Sequence, residues 1–167
     1  MRFLFCCIAF LFAANFLIYR TILTPQVLNV SILEVGPQTG GGSAILVRTP
    51  NDKNILINTG PDASILRALG TALSPWQRDI DTVVLTSTKT SETGGLQDVI
   101  NRYHVSNFVR FGNTVPYGTP LLVDNVNINI LSPNVLSISY GGASLTISSS
   151  TEKGIYVSNG EAFFKTK

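Results

Sequence analysis

The chain has 167 residues, close to the size of one ordinary domain, and is 44% hydrophobic but only 13% charged. Its net charge is +2, and two of its twelve basic residues, Arg2 and Arg20, flank an apolar N-terminus. Without that pair ten basic side chains balance ten acidic ones, which excludes a protein that grips nucleic acid broadly through its phosphates.

From Phe3 to Tyr19 the sequence reads FLFCCIAFLFAANFLIY, with Asn15 as its one strongly polar residue. Seventeen residues in a helix span about 25 Å, the short end of what crosses a bilayer. A cleaved signal would need small residues at its end. Ala13 and Ala14 instead sit mid-run and are followed by bulky Phe16 to Tyr19, so an uncleaved signal anchor over residues 1–22 is favoured over a cleaved one. A buried core helix is disfavoured because the run is apolar all round. The amino terminus and Arg2 outweigh Arg20, which places the N-terminus in the cytoplasm and residues 23–167 outside. Cys6 and Cys7, the only cysteines, lie within this run with too few residues before them for a lipoprotein signal, and the rest of the chain has no thiol for a disulfide or metal site.

Strand signals follow Pro25: Val27–Val35, Ala44–Arg48 and Asn54–Ile57, separated by Gly-rich and Asn/Asp-rich turns. Gly60-Pro61-Asp62 stops them. Asp62 is a candidate cap for a helix over residues 63–73, in which Ile65, Leu66, Leu69 and Leu73 recur at helical spacing. Residues 81–86 (DTVVLT) form a short apolar strand, and 96–103 a second helix with Leu96, Val99 and Ile100 on one face. Residues 107–110 form a further strand. Beyond Gly112 come four short strands, at residues 126–131, 136–140, 144–147 and 155–158. This order predicts an α/β layered domain with a mixed sheet.

The stretch NILINTGPDASILRALGTALSPWQRDIDTVVLT followed by TKTSETGGLQDVINRY resembles the metallo-β-lactamase domain of ComEC-type competence proteins, with echoes in VSILEVG and NINILSP. Among these it is most similar to short relatives with a single membrane segment. The resemblance covers most of Val27–Ser150 and is most specific in its first two-thirds. It implies an αββα sandwich, shortened toward the C-terminus, behind one N-terminal transmembrane helix. The chemistry it implies is hydrolysis by a zinc- or manganese-bound hydroxide.

The family's ligand loop, His-x-His-x-Asp-His, falls on Ser87, Lys89, Ser91 and Glu92, so only Glu92 is able to coordinate a metal. Asn58 stands where the family carries an Asp, the early Gly-x-Gly-Asp-Ala turn reads Gly40-Gly41-Gly42-Ser43-Ala44, and the late bridging Asp falls on Ser150. The resemblance further implies that the Lys89 ammonium lies where a dication would sit. Such an overlap costs roughly 4 kcal/mol per unit charge at 4 Å. No catalytic residue, metal ligand or cofactor is therefore expected.

Other residues carry bland readings. His104, the only histidine, is a surface or helix-end residue rather than an acid–base catalyst. Asp98 is a solvated helix carboxylate, Ser87 and Ser91 have no base at useful spacing, and Trp76 and Arg78 support the fold. A sharper candidate is an anion site made by Ser87, Lys89 and Ser91 with the helix start at Gly94-Gly95, opposed by Glu92.

The expectation is a single-pass, extracytoplasmic domain that does not catalyse and acts as scaffold or binding module. Its membrane partner is reached through the N-terminal helix; a protein partner and a DNA or phosphate ligand stay open. The alternatives are a metal-dependent hydrolase, phosphodiesterase- or nuclease-like, with a rearranged site, and a gene product without a selected role.

Overall fold

The computed structural model describes residues 11–13, 15–16, 27–36 and 42–166. Most of the expected anchor (residues 1–22) lies outside them, as does most of the Gly-rich turn. Among the described residues no helix is long and apolar enough to cross a membrane.

Two sheets face each other. The larger has seven strands in the order β11-β10-β1-β2-β3-β4-β5: β1 Leu28–Val35, β2 Gly42–Arg48, β3 Asn54–Ile57, β4 Asp79–Leu85, β5 His104–Arg110, β10 Gly154–Ser158 and β11 Phe163–Lys165. The smaller has four, β6-β7-β8-β9: β6 Pro120–Val123, β7 Val126–Ser132, β8 Val135–Tyr140 and β9 Ala143–Ile147. Antiparallel pairing runs through β1, β2 and β3. The β3–β4 and β4–β5 pairs are parallel, joined by helix α1 (Ser64–Ala72) and by the short helices α2 (Thr90–Thr93) and α3 (Leu96–Arg102).

Side-chain alternation explains the layering. Leu28, Val30 and Ile32 of β1, Ile45 and Val47 of β2, and Ile55 and Ile57 of β3 point between the sheets. There they meet Val126, Ile128 and Ile130 of β7 and Leu136 and Ile138 of β8. The opposite faces of β1–β4, with Val35, Ala44, Leu46, Leu56, Val83 and Leu85, pack under Ile65, Leu69 and Val99 of the helices. Burial on both faces is why β2, β3 and β4 read as nearly unbroken apolar runs.

The family resemblance implied a second helical layer, and here the structure differs. Among the described residues no helix lies on the outer face of the four-stranded sheet, and those residues form α/β/β layers. In VNINIL and LSISY, Asn127, Asn129, Ser137 and Ser139 alternate with the buried isoleucines on the outer face, where they are half-buried and the Asn127 and Asn129 Oδ1 atoms are enclosed without a hydrogen-bond partner.

Smaller expectations also change. Ile100 does not join Val99 in the core but is 48% exposed, and Trp76, expected to support the fold, is 83% exposed in the turn before β4. Three elements were not anticipated: β6, β11 and α2. Asp62 is not the N-cap of α1, which is Ala63 and makes no side-chain cap bond; one residue earlier, the Asp62 carboxylate accepts the Ser64 N–H at 2.9 Å.

Candidate functional site

The C-terminal ends of parallel β3 and β4 lie side by side, the position in an α/β sheet where side chains from neighbouring loops converge. Asn58, directly after β3, has a left-handed backbone (φ 58°) that asparagine tolerates better than most residues, and its N–H donates to Val84 O at 2.8 Å. The chain then turns through Thr59, whose N–H donates to the backbone carbonyl of Glu92 at 2.8 Å. A bridge between Gly60 and Thr93 seats α2 against this turn. Strand end, turn and helix thus bring Asn58, Thr86 and Glu92 together.

Their side chains form a closed hydrogen-bond network. Buried Thr86 donates its N–H to Asn58 Oδ1 at 3.0 Å, and Asn58 Nδ2 donates to Thr86 Oγ1 at 2.9 Å. Thr86 Oγ1 also lies 2.9 Å from Pro133 O, 3.2 Å from Asn58 Oδ1 and 3.2 Å from Glu92 Oε2. A hydroxyl has one proton, and Asn58 Oδ1 and Glu92 Oε2 have other donors, so the shortest contact, to Pro133, takes it. Glu92 Oε2 accepts from Ser87 Oγ at 2.7 Å, and Ser87 Oγ in turn accepts the Lys89 N–H at 3.2 Å. The Tyr117 hydroxyl donates to Thr86 O at 2.7 Å.

Beside the network is a cleft of about 440 Å³ between the two sheets. Asn58, Ser91 and Glu92 line one wall, Pro133, Asn134, Ser148 and Ser149 the other, and Ile45, Leu136 and Ile147 add apolar surface. A larger hollow of about 560 Å³ lies between α1 and strands β1 and β10, on the opposite side of the seven-stranded sheet. It contains no member of the network and shares only Lys153 with the cleft.

The five residues expected to bind an anion do not converge. Ser87 turns inward to Glu92, and Ser91 is exposed on the cleft wall. Lys89 is exposed and does not line the cleft, so its ammonium does not occupy the place of a dication as the resemblance implied. The Gly94 N–H donates to Thr90 O at 2.9 Å and that of Gly95 to Gly60 O at 3.1 Å, leaving neither for a ligand. Both glycines serve packing instead: a Cβ on Gly94 would collide with the Pro61 carbonyl, and one on Gly95 would stand 2.7 Å from Thr59 O.

Ser150 lies in the loop after β9, its hydroxyl 2.8 Å from Ser148 Oγ, and does not line the cleft; His104 is exposed at the start of β5. Thr86, Tyr117 and Pro133 were not anticipated from sequence as members of the network. Thr86 is legible as the polar residue that ends a buried strand, whereas the tie from Tyr117 depends on a loop that carries no periodic signal.

Hydroxyls, amides and one carboxylate make a poor home for zinc or manganese. A stable site needs at least three imidazole, thiolate or carboxylate ligands in fixed geometry. Glu92 supplies one, already accepting from Ser87, and among the described residues no three His, Cys, Asp or Glu side chains gather. The donor set does not fit the zinc or manganese that the resemblance implies.

No protein-family model matches this sequence, and no curated protein matches it. Solved structures do. A metallo-β-lactamase with an HARLDQ motif from Cronobacter sakazakii superposes with a TM-score of 0.51 at 15% identity, over 71% of this chain and 55% of its own. The S60 mutant of that HARLDQ-motif protein gives 0.50 at 15% identity, over 70% and 58%. The metallo-β-lactamase fold protein YhfI from Bacillus subtilis gives 0.47 at 11%, over 81% and 60%. The chain thus spans little more than half the length of these proteins. Together with the mixed sheet and the layer order, the first two matches establish that this chain has an α/β fold of the metallo-β-lactamase type.

Proposed function

We propose that the chain is a membrane-anchored, extracytoplasmic binding or scaffold module, related to the metallo-β-lactamase domain of ComEC-type DNA-uptake proteins and without hydrolytic activity of its own. The observation that carries this reading is the hydrogen-bond network at Asn58, Thr86, Ser87 and Glu92. A Lewis-acidic ion needs anionic or imidazole donors; here the polar groups satisfy one another. The apolar run Phe3–Tyr19 supports the anchor, and the polar cleft offers a surface for a partner or small ligand.

The test uses the full-length protein, purified in detergent without chelator. Elemental analysis is expected to find far less than one equivalent of zinc or manganese. Hydrolysis of an activated phosphodiester, with either metal added, should not exceed that of the metal alone. A stoichiometric, tightly held metal accompanied by turnover would replace this reading with that of a hydrolase. Extraction of membranes at alkaline pH, together with protease accessibility in intact cells, checks anchoring and sidedness separately.

A further inference from the structure

We infer that Thr86 is the hub of a metal-free clasp that holds the four-stranded sheet against the seven-stranded one and fixes the width of the cleft between them. Apolar packing between the sheets is non-directional and leaves their relative placement loosely defined; hydrogen bonds across the rim define it. Among the described residues the rim has ties at three places. Thr49 Oγ1 donates to Asp124 Oδ2 at 2.7 Å, and Gly142 N–H donates to Gly160 O at 2.7 Å. At the cleft, Thr86 Oγ1 donates to Pro133 O at 2.9 Å.

The third tie differs in how it is held. The Thr86 hydroxyl accepts from Asn58 Nδ2, which leaves its proton directed at Pro133, while Asn58 Oδ1 is fixed by the Thr86 N–H. Glu92 fastens the turn behind Asn58, its backbone carbonyl accepting the Thr59 N–H and its carboxylate the Ser87 hydroxyl. Tyr117 reaches the Thr86 carbonyl from the segment that enters β6, making a second link from the same residue to the second sheet's side. Pro133 sits in the β7–β8 turn and lines the cleft, so the length of its bond to Thr86 sets where that wall stands. The clasp rests on this geometry alone, independent of what the cleft binds.

Hydrogen exchange on the full-length protein tests it. Thr86→Val keeps the shape and removes the hydroxyl; it is expected to speed exchange across β7, β8 and their turn by roughly fivefold to tenfold. Strands β1–β3 should stay as protected as in the wild type. Thr86→Ser, which keeps the hydroxyl, should restore protection, and Ser149→Ala on the same cleft should change nothing. If Thr86→Val does not fold, Tyr117→Phe supplies the readout, with faster exchange in the same segment. Unchanged exchange there in the variant measured, or an equal rise in both sheets, would overturn the clasp. Metal content is measured separately, so failure of the functional reading is distinguishable from failure of this one.

Discussion

Gly94 and Gly95 look from sequence like the free end of a helix, yet their N–H groups are spent and their missing side chains are what matters. Gly95 is buried with Asp62 O, Thr59 O and the Ile65 side chain all within 2.8 Å of where a Cβ would stand. Gly95→Ala should therefore lower stability by about 2 kcal/mol or more through overpacking, measured by urea titration. Gly70 on α1 is the opposite case, with open space around its absent Cβ. Gly70→Ala is expected to stabilise by about 0.5–1 kcal/mol through helix propensity and reduced chain entropy. Equal effects at the two positions would contradict the packing argument. Asp62 adds a pH dependence at the same scale: hydrogen bonding from Ser64, side chain first and then backbone, holds its carboxyl below the ordinary value. A lowered folded pKa contributes stability above the unfolded value, and that contribution is lost as pH falls through the lowered one. The melting-temperature difference between wild type and Asp62→Asn should thus be constant near neutrality and shrink in acid.

At the scale of elements, the four-stranded sheet shows how far a short sequence pattern reaches. In LSISY, Leu136 and Ile138 enter the inter-sheet core while Ser137 and Ser139 face outward. Ile138→Ala should cost about 2–5 kcal/mol in equilibrium unfolding, and Ser139→Ala should stay within about 0.5 kcal/mol. A large loss at Ser139 would mean that something covers the outer face. Family resemblance implied a helical layer there; among the described residues none is present. The strands and long helix were legible because buried periodicity is a strong signal: β3 was delimited to the residue, and α1 to within one at each end. β6 and β11 were not, since PLLV and FFK are three or four residues long and mostly solvent-facing. For the site, it was readable that Ser87, Lys89 and Ser91, at the positions where the resemblance implies metal ligands, are not ligand types. The hydrogen-bond network around Thr86 was not, because it depends on Pro133, distant in sequence and contributing only a backbone carbonyl.

For the whole molecule, the two core layers share their strands. The inner faces of β1, β2 and β3 form the inter-sheet core and their outer faces the core under the helices, so neither layer can come apart without exposing the other. Unfolding should therefore be a single cooperative transition, with far-ultraviolet circular dichroism and the tyrosine near-ultraviolet signal coincident. The choice of probe matters. The only tryptophan, Trp76, is exposed in the folded chain, whereas Tyr103 is buried under the helical layer. Native Trp76 emission should already be that of indole in water and should move little on unfolding, even where dichroism reports complete loss of structure. Accessible quenchers such as acrylamide should reach it almost as readily before the transition as after. A blue-shifted, quencher-resistant emission in the native protein would mean that Trp76 is covered in solution, either by a second molecule or by residues 1–26. Repeating the measurement on dilution separates those two: emission that shifts toward that of water-exposed indole indicates association, and emission that does not indicates a contact within the chain.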